Sequence, residues 1–192
     1  MISVIFVTGV PKYAEANKMT LALTNPDVEC IVIDDAQHKV VGWNRGAKIA
    51  KGDTLLFVDD DIIWTDKIII PEFELFGPSL LSRNHIQAKG KVINVPNPWL
   101  DGWCIGASRR LYDEVGGFDE GFRFSGMQDA DFCMMCAVKK VLPRVWKFPG
   151  KHLQAGTKYI MNPNHEKTRI DNIKYLVKKW KLTGYDEPDY FD

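Results

Sequence analysis

The sequence predicts a layered α/β fold with a mostly parallel central sheet, on three observations. Short β-branched runs, Ile2–Thr8, Val28–Ile33 and Thr54–Val58, alternate with helical segments. Each run is largely apolar on both faces, as strands covered by helices on both sides require. Two of the three end in acidic clusters, Asp34-Asp35 and Asp59-Asp60-Asp61, at the strand ends where an open parallel sheet binds its ligands.

Each element has its own warrant. Ile2–Thr8 is closed by Gly9 and Pro11, and Ala14–Leu23 follows as a helix with Met19, Ala22 and Leu23 predicted on its inner face. Asn44–Ala50 is a short helix stopped by Gly52. From Thr65 to Pro98 four prolines, Pro71, Pro78, Pro96 and Pro98, leave one predicted strand near Val92–Val95. Trp103–Ala107 reads as a strand, and a short helix runs through Leu111 to Val115. The glycine-rich loop from Gly116 to Gly126 precedes a helix starting near Gln128, and Val145–Phe148 is the last predicted strand. Ile170, Ile173, Val177 and Trp180 give Glu166–Lys181 a helical apolar stripe, with Gly184 as its terminator.

Composition narrows the function classes. The 192 residues suit one domain, and 25 basic against 25 acidic residues give zero net charge. A protein that grips nucleic acid by bulk charge is excluded on that balance. No apolar run approaches the ~20 residues of a membrane span. The opening residues lack the basic region and cleavage site of a signal peptide and read as a strand. Cys30 and Cys104 lie in apolar runs, and Cys133 and Cys136 flank two methionines without a second pair to complete a zinc site. Four reduced, packing thiols fit a cytoplasmic protein.

Three adjacent carboxylates repel unless solvated or bound to a cation, so two acidic strand ends on one edge predict a hard divalent ion, Mn²⁺ or Mg²⁺. A third cluster, Gln128-Asp129-Ala130-Asp131, opens a helix, where the N-terminus favours the charged carboxylate that a general base needs. Trp99, Asp101 and Trp103 bring aromatic faces and a carboxylate together, with ligand stacking as one reading and core packing as the other. Lys174, Lys178, Lys179 and Lys181 form a basic stripe on the last helix, with membrane-surface contact as one reading and a solvated face as the other.

Two blocks of the sequence carry a resemblance. The first is Asn44-Arg45-Gly46, Ala50-Lys51-Gly52-Asp53 and Leu56-Phe57-Val58-Asp59-Asp60-Asp61. The second is Gly116-Gly117-Phe118-Asp119-Glu120-Gly121-Phe122 followed by Gln128-Asp129-Ala130-Asp131. In order and spacing they resemble the N-x-G, A-x-G, Asp-x-Asp, GGFDE-x-F and Glu-Asp motifs of GT-A fold nucleotide-diphospho-sugar glycosyltransferases, particularly the family-2 type, in a minimal single-domain version.

The resemblance implies a Rossmann-like GT-A fold over residues 1–155. Its nucleotide-sugar half covers about 1–65 and its acceptor half about 90–155, with residues 156–192 packed on as a helix and tail. It implies a metal-dependent transfer of a sugar from a nucleotide-diphosphate donor, a UDP-sugar first among them, to an acceptor hydroxyl. Thr8 and Gly9 would line the base pocket, and Asp34 and Asp35 would contact base or ribose. Asn44, Arg45, Asp59 and Asp60 would complete the donor site. Asp61 would hold the metal with Asp59 and His152. Asp129 would be the base of an inverting reaction, with Gln128 and Asp131 beside the acceptor.

The sequence departs from the pattern in three places. Gln128 stands where the family has Glu, only Ala36–Gly42 separates the second strand end from Trp43-Asn44, and the chain is short. A nucleotidyltransferase would need a glycine-rich basic loop after the first strand, but Gly9-Val10-Pro11-Lys12-Tyr13 has one glycine and one lysine. A phospho-receiver domain would need its acidic pair on the first strand. A non-catalytic nucleotide-sugar-binding protein and a retaining transferase remain as alternatives.

Overall fold

The computed structural model describes residues 1–34, 38–81, 87–88, 91–92, 95–124, 126–154 and 164–182. The first half runs β1 (Ile2–Thr8), α1 (Pro11–Thr24), β2 (Glu29–Asp34), α2 (Lys39–Ile49), β3 (Thr54–Val58), β4 (Ile62–Trp64), β5 (Leu75–Gly77) and β6 (Leu80–Leu81). It continues through β7 (Gln87–Ala88), β8 (Lys91–Val92), β9 (Trp99–Leu100), β10 (Cys104–Ser108), α3 (Arg109–Val115), α4 (Gln128–Val138), β11 (Arg144–Val145), β12 (Gly150–His152) and α5 (His165–Trp180).

The main sheet has the order β11-β5-β10-β3-β1-β2. β1 pairs in parallel with β2 and β3, and β5 with β11, whereas β10 runs antiparallel to β3 and β5. This is the mostly parallel α/β sheet that the sequence predicts. The reversed β10 has a consequence for the site: its first residue, Cys104, lies opposite Val58 at the end of β3. The loop entering β10 therefore shares an edge with the residues leaving β3.

Alternation along the strands divides the core. Ile5, Leu55, Phe57, Ile105 and Ala107 face α2, α3, α4 and α5, while Val4, Phe6, Leu56, Val58 and Cys104 pack with α1 and β4 on the other side. Ile173 and Leu176 of α5 are completely buried in the first of these clusters. Each such side chain is worth about 1.5–3 kcal/mol. The helix ends at Lys181 in the left-handed region (φ 49°), and the predicted terminator Gly184 lies outside the described residues.

Three local expectations need correction. The inner face of α1 is Ala14, Asn17 and Leu21, while Met19 and Leu23 are 61% and 76% exposed. A buried asparagine hides this face from a search for apolar periodicity; its amide accepts from Trp64 Nε1 (2.7 Å) and donates to the carbonyl of Asp59 (3.1 Å). The predicted strand at 145–148 is only Arg144–Val145, and a separate strand at Gly150–His152 pairs with β4. Of Val92–Val95, Val92 ends the two-residue strand β8, which pairs with β7 away from the main sheet, and residues 93–94 lie outside the described ones.

The two glycine motifs are packing devices. A Cβ on Gly46 would lie 2.3 Å from Ile5 Cγ2, so α2 can close on β1 only with glycine there. Asn44 uses its whole amide on the GGFDE segment and on Tyr112 of α3. Nδ2 donates to the carbonyl of Phe118 (2.8 Å) and to Glu120 Oε1 (2.9 Å), and Oδ1 accepts from Tyr112 Oη (2.6 Å) and the Phe118 N–H (3.0 Å). Phe118 is thereby fixed in an aromatic cluster with Trp43, Phe57 and Phe132.

Candidate active site

The carboxyl ends of β1, β2 and β3 meet at one edge, joined there by the loop before β10. Thr8 lies beside Asp34 in the β1–β2 register, and Asp34 is exposed at the rim. Asp35 lies outside the described residues.

The three consecutive carboxylates part company. Asp60, 4% exposed, turns back under the β1–α1 loop, where one oxygen accepts from the Gly9 N–H (3.3 Å), the Val10 N–H (3.4 Å) and Thr8 Oγ1 (3.4 Å). Burial raises its pKa, against the pull of those two N–H groups. Asp60 therefore holds the β1–α1 loop from below.

Asp59 and Asp61 face the other way and meet His152. The β12–β4 ladder sets His152 opposite Ile62, bringing Nε2 to 3.1 Å from Asp61 Oδ1 and 3.9 Å from Asp59 Oδ2. One ligand atom from each of the three lies within 4.8 Å of the others. Two carboxylates and an imidazole are a donor set that fits a divalent ion. The Trp103 ring stacks on His152 (centroids 4.7 Å apart, 16° between planes) and fixes its orientation.

Lys39, at the first turn of α2, forms an ion pair with Asp59, donates to the Gly102 carbonyl (2.8 Å) and lies over the Trp43 ring (4.4 Å). Sequence reasoning missed it. The available signal was a lysine four residues before an apolar tryptophan, which only a helix beginning at 39 would align.

Asp129 lies on the far side of the same loop. Its Oδ2 accepts from the Gly102 N–H (3.1 Å), and Oδ1 accepts from the Ala130 N–H (2.9 Å). Burial pushes its pKa up to about 6; the Ala130 N–H opposes this and the Asp101 carboxylate adds to it. The helix N-terminus was expected to hold the pKa down, but burial outweighs it. At neutral pH the group is still mostly ionised, with more basicity than an ordinary Asp.

Four other predicted site residues, Asn44, Trp99, Gln128 and Asp131, are buried. Asn44 is committed to the GGFDE segment, as described above, and Arg45 is exposed on α2 beside it. Trp99 is 1% exposed within the core, so its face is not presented to a sugar. Gln128 is 6% exposed, and its amide donates to the Phe124 carbonyl (2.9 Å). Asp131 is 1% exposed and is bound by Lys179 (2.8 Å) and Trp180 Nε1 (2.6 Å) of α5. The latter pairing also removes Lys179 from the predicted basic stripe. Asp101 and Trp103 do lie at the edge, half-buried. Cys104, Cys133 and Cys136 are buried with raised pKa values, which suits packing thiols.

No family model matches the chain, and no curated protein matches its sequence. Solved structures do match. A mannosyltransferase from Pyrobaculum calidifontis, solved with GDP-mannose and Mn²⁺, aligns over 91% of this chain at TM-score 0.56 and 12% identity; the chain spans 64% of that protein. The catalytic domain of Drosophila β1,4-galactosyltransferase 7, solved with xylobiose, aligns over 88% of this chain and 79% of its own at TM-score 0.55 and 14% identity. Residues 1–349 of Staphylococcus aureus TarS align over 94% of this chain and 72% of their own at TM-score 0.51 and 13% identity. The chain has the GT-A glycosyltransferase fold. Among the described residues no helix is long and apolar enough to cross a membrane.

Proposed function

We propose that this chain is a glycosyltransferase that moves a sugar from a nucleoside-diphosphate donor to an acceptor hydroxyl with inversion, using a divalent cation at Asp59, Asp61 and His152 and Asp129 as base. One observation carries the reading: the Asp59–Asp61–His152 group and Asp129 lie on two sides of the single loop Asp101–Trp103, at the sheet edge where the fold binds ligands. The known donors of the structural neighbours, GDP-mannose in one and UDP-galactose in another Drosophila galactosyltransferase 7 complex, support a sugar nucleotide.

Each residue then has a task. The cation, when bound, stabilises the charge that develops on the departing diphosphate. Asp59, Asp61 and His152 hold it, and the imidazole favours Mn²⁺ over the all-oxygen preference of Mg²⁺. Lys39 exchanges its pairing with Asp59 for the diphosphate, supplying a further positive charge. Asp129, within reach of the sugar from the opposite side of the loop, takes the acceptor's proton as the new bond forms. Asp101 and Trp103 border the acceptor.

The test is to incubate the protein with a panel of UDP- and GDP-sugars and Mn²⁺ and to measure free nucleoside diphosphate. Slow release from one donor, abolished by EDTA, is expected. Binding of a sugar nucleotide with no release under any acceptor would replace this reading with a binding protein.

A further inference from the structure

The segment that delivers Asp129 has two local side-chain anchors, Gln128 on the Phe124 carbonyl and Asp119 on the Gly121 N–H. Between α3 and α4 the backbone enters the left-handed region at Gly116, Gly117, Phe124, Gly126 and Met127. Met127 is the N-cap residue of α4 and offers no side-chain cap, so the first turn of α4 lacks the usual local anchor.

One face of α5 supplies further anchors. Asn172, Tyr175 and Lys179 have helical i, i+3, i+7 spacing. Asn172 Oδ1 accepts from the Arg123 N–H (3.0 Å), and its Nδ2 donates to the carbonyls of Arg123 (2.8 Å) and Gly126 (3.0 Å). Tyr175 Oη donates to Asp119 (3.1 Å), and its ring meets Phe122 edge-on at 4.9 Å. Lys179 Nζ bridges Asp119 (2.7 Å) and Asp131 (2.8 Å), and Trp180 Nε1 donates to the other side of Asp131 (2.6 Å). Asp129 lies between the last two points of attachment, Gly126 and Asp131.

We propose that α5 is the positioning element of the acceptor side, with Asn172 and Lys179 as positioning residues that act through the 119–127 loop and Asp131 to aim the Asp129 carboxylate. The inference rests on Asp129 being the base. Packing alone does not explain the arrangement. A buried ion pair is matched in stability by apolar side chains of the same volume, whereas directional bonds to a carboxylate and to three backbone groups select one geometry. A misplacement near 1 Å in a reacting group costs about 10²-fold in rate.

The test compares Lys179→Met, the double variant Lys179→Met/Asp131→Asn, Lys179→Arg and Asn172→Ala in the full chain. The double variant neutralises Asp131, the fully buried partner, together with Lys179, while the part-exposed Asp119 keeps its bond from Tyr175 Oη, which keeps the experiment informative if Lys179→Met alone fails to fold. Three quantities are read: Mn²⁺-dependent UDP affinity, kcat and KM for release of UDP from the sugar nucleotide that the panel identifies, and backbone amide exchange. The expected result is UDP affinity within about twofold of wild type, kcat down about 10²-fold with KM little changed, and recovery of much of the loss in Lys179→Arg. Exchange at Arg123 and Ala130 should accelerate while β1 and β3 stay protected. Wild-type exchange at Arg123 and Ala130 in the double variant and in Asn172→Ala would overturn the proposal, as would a wild-type kcat in both. If the unmodified protein binds UDP with Mn²⁺ but never turns over, the catalytic reading fails, and the exchange result alone decides whether α5 holds the loop.

Discussion

Lys39 spans Asp59 and the carbonyl of Gly102, the residue whose N–H is bound by Asp129. One lysine and one residue, Gly102, thus link the candidate metal ligands to the candidate base. Replacing Lys39 by Met should separate two affinities. Mn²⁺ alone should bind Asp59, Asp61 and His152 at least as tightly, since no ammonium must be displaced. UDP in the presence of Mn²⁺ should bind about 10-fold more weakly, the worth of one charge-assisted hydrogen bond. Calorimetry with each ligand checks both, and unchanged UDP affinity would remove Lys39 from the donor site.

Asp61→Ala and His152→Ala should each abolish measurable Mn²⁺ binding and reduce Mn²⁺-dependent UDP binding by at least about 10-fold, without unfolding the protein. Asp61 is 3% exposed beside two other carboxylates, so its removal relieves repulsion as it deletes a ligand. UDP binding that is indifferent to EDTA in the unmodified protein would refute the metal site.

Asp129→Asn should lower turnover by about 10²–10⁴-fold and leave UDP affinity intact. Because burial lifts Asp129 to about 6, the rate should fall tenfold per pH unit below that value. The stability effect has the opposite sense. A carboxyl whose folded pKa lies above its unfolded value near 3.9 favours the native state below that pH and loses that advantage as pH rises through about 6. The neutral Asn should therefore melt no lower than wild type at pH 7. Thermal scans and a pH–rate profile test the two halves separately.

Asn44→Ala probes the packing role of the N-x-G asparagine. It removes four hydrogen bonds and strands the buried N–H and carbonyl of Phe118, for a cost of about 2–4 kcal/mol. Denaturant titration should show that loss, with UDP and Mn²⁺ affinities unchanged in the folded fraction. A selective loss of donor binding at full stability would return Asn44 to the donor site.

The parts of this molecule legible in the sequence are those where one residue type has one physical use. Apolar runs gave β1 and β3 to the residue, and clustered Asp marked the sheet edge. Asp59, Asp61 and His152 were grouped in advance by resemblance alone, and what joins them in space is the short β12–β4 ladder, too brief to leave a pattern. Trp99, Gln128, Asp131 and Asn44 are ambiguous in the sequence because a polar or aromatic residue near a motif can serve the scaffold as well as a ligand. The partners that hold Asn44 and Asp131, namely Tyr112, Phe118, Lys179 and Trp180, lie 48 to 74 residues away. Asn17 misled for the converse reason, a polar residue on a buried face.

The attachment of α5 to the 119–131 segment has a bearing on biosynthesis. Chains emerge from the ribosome N-terminus first, and folding begins on what has emerged. Strands β1 to β3, β12 with His152, and Asp129 itself all precede Asn172 and Lys179 in synthesis. A nascent chain halted before α5 would carry the carboxylates of the candidate ion site but an untethered Asp129. Competence for turnover would then arrive only once α5 has emerged and seated, and not by degrees as the sheet assembles.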